Sequence, residues 1–223
     1  MKTFLLLILF TASAIFFVSC DKLGLTKEKD TELNGDTSIP INTVGNQFSP
    51  VIIIDGASVA SNATIKITNS VNGVNTIEFK ADLTTTPALS RLNSLIPANL
   101  KDASGKVNFT TKVKMTDEGI LDYSNSDNAP FVAVRYDGNV GDTYTLTKSD
   151  GKTSIRTITQ KSTTDDYAWG FMMIKTIKVE QIPSFPGIKK YEYWFNHKFG
   201  LVGVAITAED NSKLSFKFTP TNY

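Results

Sequence analysis

From residue 51 onward apolar and polar side chains alternate with a period of two, the pattern of strands that bury one face. Residues 51–54 form a short apolar run. Ile65 and Ile67 alternate with Thr64, Lys66 and Thr68, and Ile77, Phe79 and Ala81 alternate with Glu78, Lys80 and Asp82. The Asn72-Gly73 pair between those two runs suits a tight turn that needs positive φ. Val107, Phe109, Val113 and Met115 share one strand face, with Asn108, Thr110, Lys112 and Lys114 opposite. One stretch departs from the pattern. Leu89, Leu92, Leu95 and Ile96 fall at helical spacing before Pro97, which predicts one short helix within residues 87–100. Residues 116–130, rich in Asp, Asn and Ser, read as a loop.

Beyond it the spacing predicts strands over 131–136, 143–147, 154–160, 171–181, 189–195, 201–207 and 214–219. Turn residues separate them, including Asp150-Gly151, Thr164-Asp165-Asp166 and Gly200. Connections this short require antiparallel neighbours, because a parallel pair needs a crossover of a dozen residues or more. The expected fold is therefore mainly β: an antiparallel meander forming a curved sheet, a half-barrel or a barrel, with one short helix. Residues 51–130 pack beside the 131–223 meander or extend it. One predicted strand is inconsistent. Within 171–181, Ile174 points one way by parity while Ile177 and Val179 point the other, which predicts a β-bulge near Lys175 and Thr176.

The start of the chain has a different texture. Lys2 precedes an apolar run over residues 4–18, followed by Ser19 and Cys20. The run is 15 residues, short of the roughly 20 that span a bilayer as a helix. The segment resembles a bacterial lipoprotein signal, its specific part being Phe17-Val18-Ser19-Cys20; Phe17 stands where the usual box prefers Leu. The resemblance implies cleavage before Cys20 and a lipid on its sulfur. It also implies residence in the bacterial cell envelope, with the outer membrane the expected destination. Asp21, directly after Cys20, retains such proteins in the inner membrane of some bacteria and not others. The organisation expected is a signal peptide over 1–19, a flexible tether over 20–50 broken by Gly24, Gly35, Pro40, Gly45 and Pro50, a β-rich region with the helix over 51–130, and the meander over 131–223.

Composition narrows the chemistry. Removing residues 1–19 removes Lys2 and leaves 22 basic against 22 acidic side chains, so no basic field recruits nucleic acid. Cys20 is the only cysteine and His197 the only histidine, so no disulfide is available and neither a metal nor a cofactor is expected. No Gly-rich phosphate loop, Gly-x-Ser-x-Gly elbow or His-Glu-x-x-His occurs, and the chain reads as a non-enzyme. Asp117, Glu118, Asp122, Asn125, Asp127 and Asn128 offer hard oxygens, but not at EF-hand spacing, and read as a solvated loop. His197 is read as part of a turn closed by Gly200. The candidate ligand contacts are aromatic: Tyr191, Tyr193 and Trp194 on one strand, and Trp169, offering stacking area with a polar handle.

Two stretches resemble segments of uncharacterised bacterial cell-envelope lipoproteins: residues 134–146, carrying Tyr136-Asp137-Gly138-Asn139-Val140-Gly141-Asp142-Thr143, and residues 196–204, reading Asn-His-Lys-Phe-Gly-Leu-Val-Gly-Val. The second is also similar to the Gly-Leu-Val strand start of lipoprotein-carrier-like half-barrels. That likeness implies a curved sheet whose concave face accepts an acyl chain, and it carries over no catalytic residue. The expectation is a lipid-anchored envelope protein, held to the membrane through Cys20, that binds an apolar or glycan ligand without catalysis. The alternative is a structural or assembly component acting through an envelope protein partner.

Overall fold

The computed structural model describes residues 32–221 apart from 61, 88, 91–92, 94–95, 97 and 184–186. Cys20, the signal segment, and Leu92, Leu95 and Pro97 of the expected helix lie outside the described residues. Fifteen strands are seen among the described residues: β1 (Gln47–Ile54), β2 (Ala57–Val59), β3 (Thr64–Val71), β4 (Val74–Ala81), β5 (Val107–Met115), β6 (Gly119–Asp122), β7 (Phe131–Arg135), β8 (Thr143–Thr147), β9 (Thr153–Lys161), β10 (Tyr167–Trp169), β11 (Met172–Ile174), β12 (Ile177–Gln181), β13 (Ile188–Asn196), β14 (Gly200–Ala208) and β15 (Lys213–Pro220).

All but β10 and β11 belong to one antiparallel sheet, in the order β7-β6-β5-β4-β3-β1-β15-β14-β13-β12-β9-β8, with β2 paired to β1. The first and last strands of the chain's regular structure therefore meet in the middle of the sheet, where Phe48 lies opposite Pro220 and Ile54 opposite Leu214. Both regions distinguished in the sequence share this sheet, because β6 pairs with β7 and β1 with β15.

The sheet curls until its two ends, β7 and β8, nearly meet. Among the described residues no ladder joins them, and side chains supply hydrogen bonds across the gap. The Arg135 amide donates to the Tyr144 hydroxyl at 3.2 Å. Arg156 on β9 donates through Nη1 to the carbonyls of Phe131 and Val132 at 3.4 and 3.3 Å. Lys161 donates to the carbonyls of Tyr136 and Gly138. These groups satisfy backbone donors and acceptors that an unpaired edge would otherwise leave open.

The concave face carries two packed clusters. One gathers Ile67, Met115, Ile120, Val132, Val134, Ile158, Val179 and Phe195 near the β7–β8 seam. The other gathers Ile52, Leu83, Leu89 and Val107 beneath the 83–106 connection. That connection is helical at Pro87, Leu89, Ser90 and Asn93, and Thr86 caps it: its Oγ1 accepts from the Leu89 amide and its carbonyl from the Ser90 amide.

Three stretches differ from the sequence reading. Residues 33–50, assigned to the tether, are packed: Leu33 and Ile41 enter the first cluster and plug one rim of the barrel. Asn42 fixes this plug by donating to Met115 O at 2.9 Å and accepting from fully buried Asn75 at 2.6 Å. Apolar residues so widely spaced carry no periodic signal. Residues 116–130, assigned to a loop, contain β6, too short and too buried on both faces to alternate. The bulge expected near Lys175 and Thr176 is instead a break between two strands. Ile174 ends β11 on the convex side, while Ile177 and Val179 in β12 face the concave core, so each parity serves a different layer.

Candidate functional site

The aromatic candidates divide between the two faces of the sheet. Alternation along β13 sends Tyr191, Tyr193 and Phe195 to the concave side, and Glu192 and Trp194 to the convex side.

On the concave side a strip of half-buried apolar groups lies between the two packed clusters. Register places Tyr193, Val204, Phe216 and Ile52 in one row, and Tyr191, Ile206, Leu214 and Ile54 in the next. A third row runs through Phe48, Ile65, Phe79 and Phe109, the last two stacked with centroids 5.3 Å apart. Ile52 is fully buried; the others are partly accessible. Polar groups gather at one border. Arg156, 6% exposed, pairs with Asp122 at 2.6 Å, donates through Nε to Gln181 Oε1 at 2.8 Å, and stacks 4.1 Å above the Phe131 ring. Its guanidinium lies 5.7 Å from the Tyr193 ring, and burial pushes the Tyr193 hydroxyl up to about 12. Neutral at physiological pH, Tyr193 adds no charge to the strip.

On the convex side the hairpin formed by β10 and β11 lies across β13, β14 and β15. Trp169 is buried, its indole N–H donating to Phe218 O at 2.6 Å and its ring stacked 4.3 Å from Phe199. Tyr167 stacks on Trp194 at 6.0 Å, and Lys178 Nζ lies 5.3 Å from the centre of the same tryptophan ring. Gly203 leaves the space that the Tyr167 hydroxyl fills; a Cβ there would collide with it. Trp169 and Trp194 therefore fasten the hairpin to the sheet.

Two clefts of about 400 and 430 Å³ open beside the plugged rim. Lys175, Asn196 and His197 line both; Asp165 and Lys198 add to the first, and Asp117, Tyr136 and Lys161 to the second. His197 occupies the expected turn, in which Asn196 Oδ1 accepts from the amides of Lys198 and Phe199 and Gly200 has φ of +66°. Asp166 turns away to accept from Ser162. The hard-oxygen loop spends its carboxylates locally: Asp122 on Arg156, Asp127 on Ser149. Among the described residues no cluster of His, Cys, Asp and Glu is arranged to hold a metal.

Two buried charges escaped the sequence reading. Arg156 shares strand parity with buried Ile158, but Ile155 on the other parity, 49% exposed, left the sequence with no way to choose the inward face. Glu192, 3% exposed on the convex side, meets Lys178, Lys190 at 3.2 Å and Lys213 at 3.3 Å. Lys178 and Lys213 sit on other strands, and their approach left no local trace.

No protein-family model matches the chain, and no curated protein matches it. It is similar to two solved structures. One is an exported-protein candidate with YmcC-like fold from Bacteroides fragilis, 13% identical, with a TM-score of 0.46 over 81% of this chain and 97% of that one. The other is a lipoprotein candidate from Parabacteroides distasonis, 11% identical, with a TM-score of 0.39 over 79% and 94%.

Proposed function

We propose that this chain is a lipid-anchored cell-envelope protein whose body binds one apolar chain, of the fatty-acyl type, along the concave strip. The carrying observation is the three-row run of apolar side chains that borders both packed clusters and, Ile52 apart, stays partly accessible. A sheet built only as a scaffold would close this surface to core density. Left accessible and uncharged, it suits a flexible hydrocarbon that replaces water along its length. The anchor rests on the lipoprotein-like signal ending at Cys20. Fluorescence titration with cis-parinaric acid tests the binding. Saturable one-to-one binding is expected, and Ile206→Ser, in the row of Tyr191 and Leu214, should weaken it about tenfold, the value of removing most of one buried aliphatic side chain. Non-saturable uptake, or equal binding by the variant, would remove the strip as a site.

A further inference from the structure

We propose that the tip of the β10–β11 hairpin is a membrane-docking wedge that seats in the interface of a phospholipid bilayer. This goes beyond ligand binding and concerns the opposite face of the sheet.

Phe171, 96% exposed, stands at the turn of a two-residue loop, and Met173, 51% exposed, follows on the outward face; Met172, 36% exposed, is the cross-strand partner of Trp169 and lines the first cleft. Gly170 precedes Phe171 with φ of +57°, the conformation that such a loop requires at its first position. An apolar loop with nothing beneath it would fold back onto the body. This one is held outward. Trp169 is buried and hydrogen-bonded to Phe218 O, Ile174 is buried in the same cluster, and Lys217 donates to Ala168 O at 3.2 Å while lying over the Tyr167 ring at 5.4 Å. The side chains that point down fasten the hairpin; those that point out are apolar. Val51, 42% exposed, extends the patch, because it lies opposite Lys217 on the neighbouring strand.

Three observations select a lipid surface as the occupant. The first is where the described chain starts. Residues 32–36 lie on the rim that carries the clefts: Arg135 donates to Glu32 O, Asp36 O accepts from the Asp117 amide, and Asp117 and Lys175 line one cleft. Lys175 is the residue directly after β11. The twelve residues from Cys20 to Glu32 reach at most roughly 40 Å even when fully extended. A lipid on Cys20 therefore keeps the hairpin within reach of the bilayer, and a weak contact becomes effective at the resulting local concentration. The second is the composition of the outward tip, a phenyl ring and a thioether, groups that enter the headgroup–acyl boundary without carrying charge there. The third is Lys217, whose ammonium lies along the hairpin beside Ala168 and the Tyr167 ring, placed to meet a lipid phosphate; Lys175 and Lys198 share the cleft at the hairpin's base with Asp165.

The test uses the full mature chain with Cys20→Ser, so that no acyl anchor contributes, and flotation with vesicles of phosphatidylethanolamine and phosphatidylglycerol. The protein should float with the vesicles. Phe171→Ser with Met173→Ser should lower the partition coefficient about tenfold at unchanged near-ultraviolet circular dichroism, since both side chains are already exposed in the folded protein. Phe171→Trp should be quenched by lipids brominated along the acyl chain. Ile206→Ser, which touches only the concave strip, should float like the parent, so loss of ligand binding and loss of docking are separable. Absence of the parent protein from the vesicle fraction, equal flotation of the double serine variant, or a Phe171→Trp variant left unquenched would each overturn the proposal and leave a protein partner as the occupant of the tip.

Discussion

Glu192 shows how a single carboxylate can be buried on the outside of a sheet. Burial alone would raise its pKa, but hydrogen bonds from Lys178 and Lys190 and the charges of Lys178 and Lys213 outweigh it and hold the group at about 2. Because the folded-state value lies below the unfolded one, the stabilisation is complete above roughly pH 5 and is lost as pH falls toward 2. Glu192→Gln should therefore cost on the order of 2–3 kcal/mol at neutral pH, leaving three lysines crowded without their counter-charge, and should flatten the stability profile between those limits. Urea denaturation across that range checks it. An unchanged acid limb would show that the cluster contributes nothing to folding.

At the level of elements the β7–β8 seam is the weakest joint of the barrel, because it relies on side chains where its neighbours use ladders. Arg156→Lys keeps the charge but not the fork that reaches two carbonyls, Asp122 and Gln181 together. A loss of about 2 kcal/mol is expected, with amide exchange in Phe131–Arg135 and Thr143–Thr147 rising ahead of β13 and β14. Uniform acceleration across the sheet would contradict a local joint. Most strands were legible from alternation, as in Val107–Met115 and Ile188–Asn196, where one face is mostly apolar. What stayed hidden was held by contacts distant in sequence. The plug depends on Leu33 and Ile41 meeting a core built largely from residues 115–201, and β6 is buried by that same core, to which distant segments contribute. The Ile174 and Ile177 parity conflict was real evidence, but a second layer resolved it rather than a bulge. The aromatic candidates were legible without their sidedness, since only the hairpin's placement tells Trp194 from Tyr193.

For the molecule as a whole, residue 33 is already part of the body, so the lipid anchor proposed at Cys20 would carry that body close to its attachment point. Cys20→Ser should move the protein from the detergent-requiring membrane fraction to one released by alkaline carbonate, still folded and with unchanged thermal unfolding. A variant that still needs detergent would overturn the lipid-anchor reading. The central pairing of β1 with β15 has a consequence of another kind. Phe48 pairs early with Ile65, but its other neighbour is Pro220, so the loop to be closed on that side is nearly the whole body, and the sheet stays two separate halves until the last strand arrives. A chain threaded through a narrow pore from its amino end would thus remain open along its midline, and pliable, until the final residues had passed.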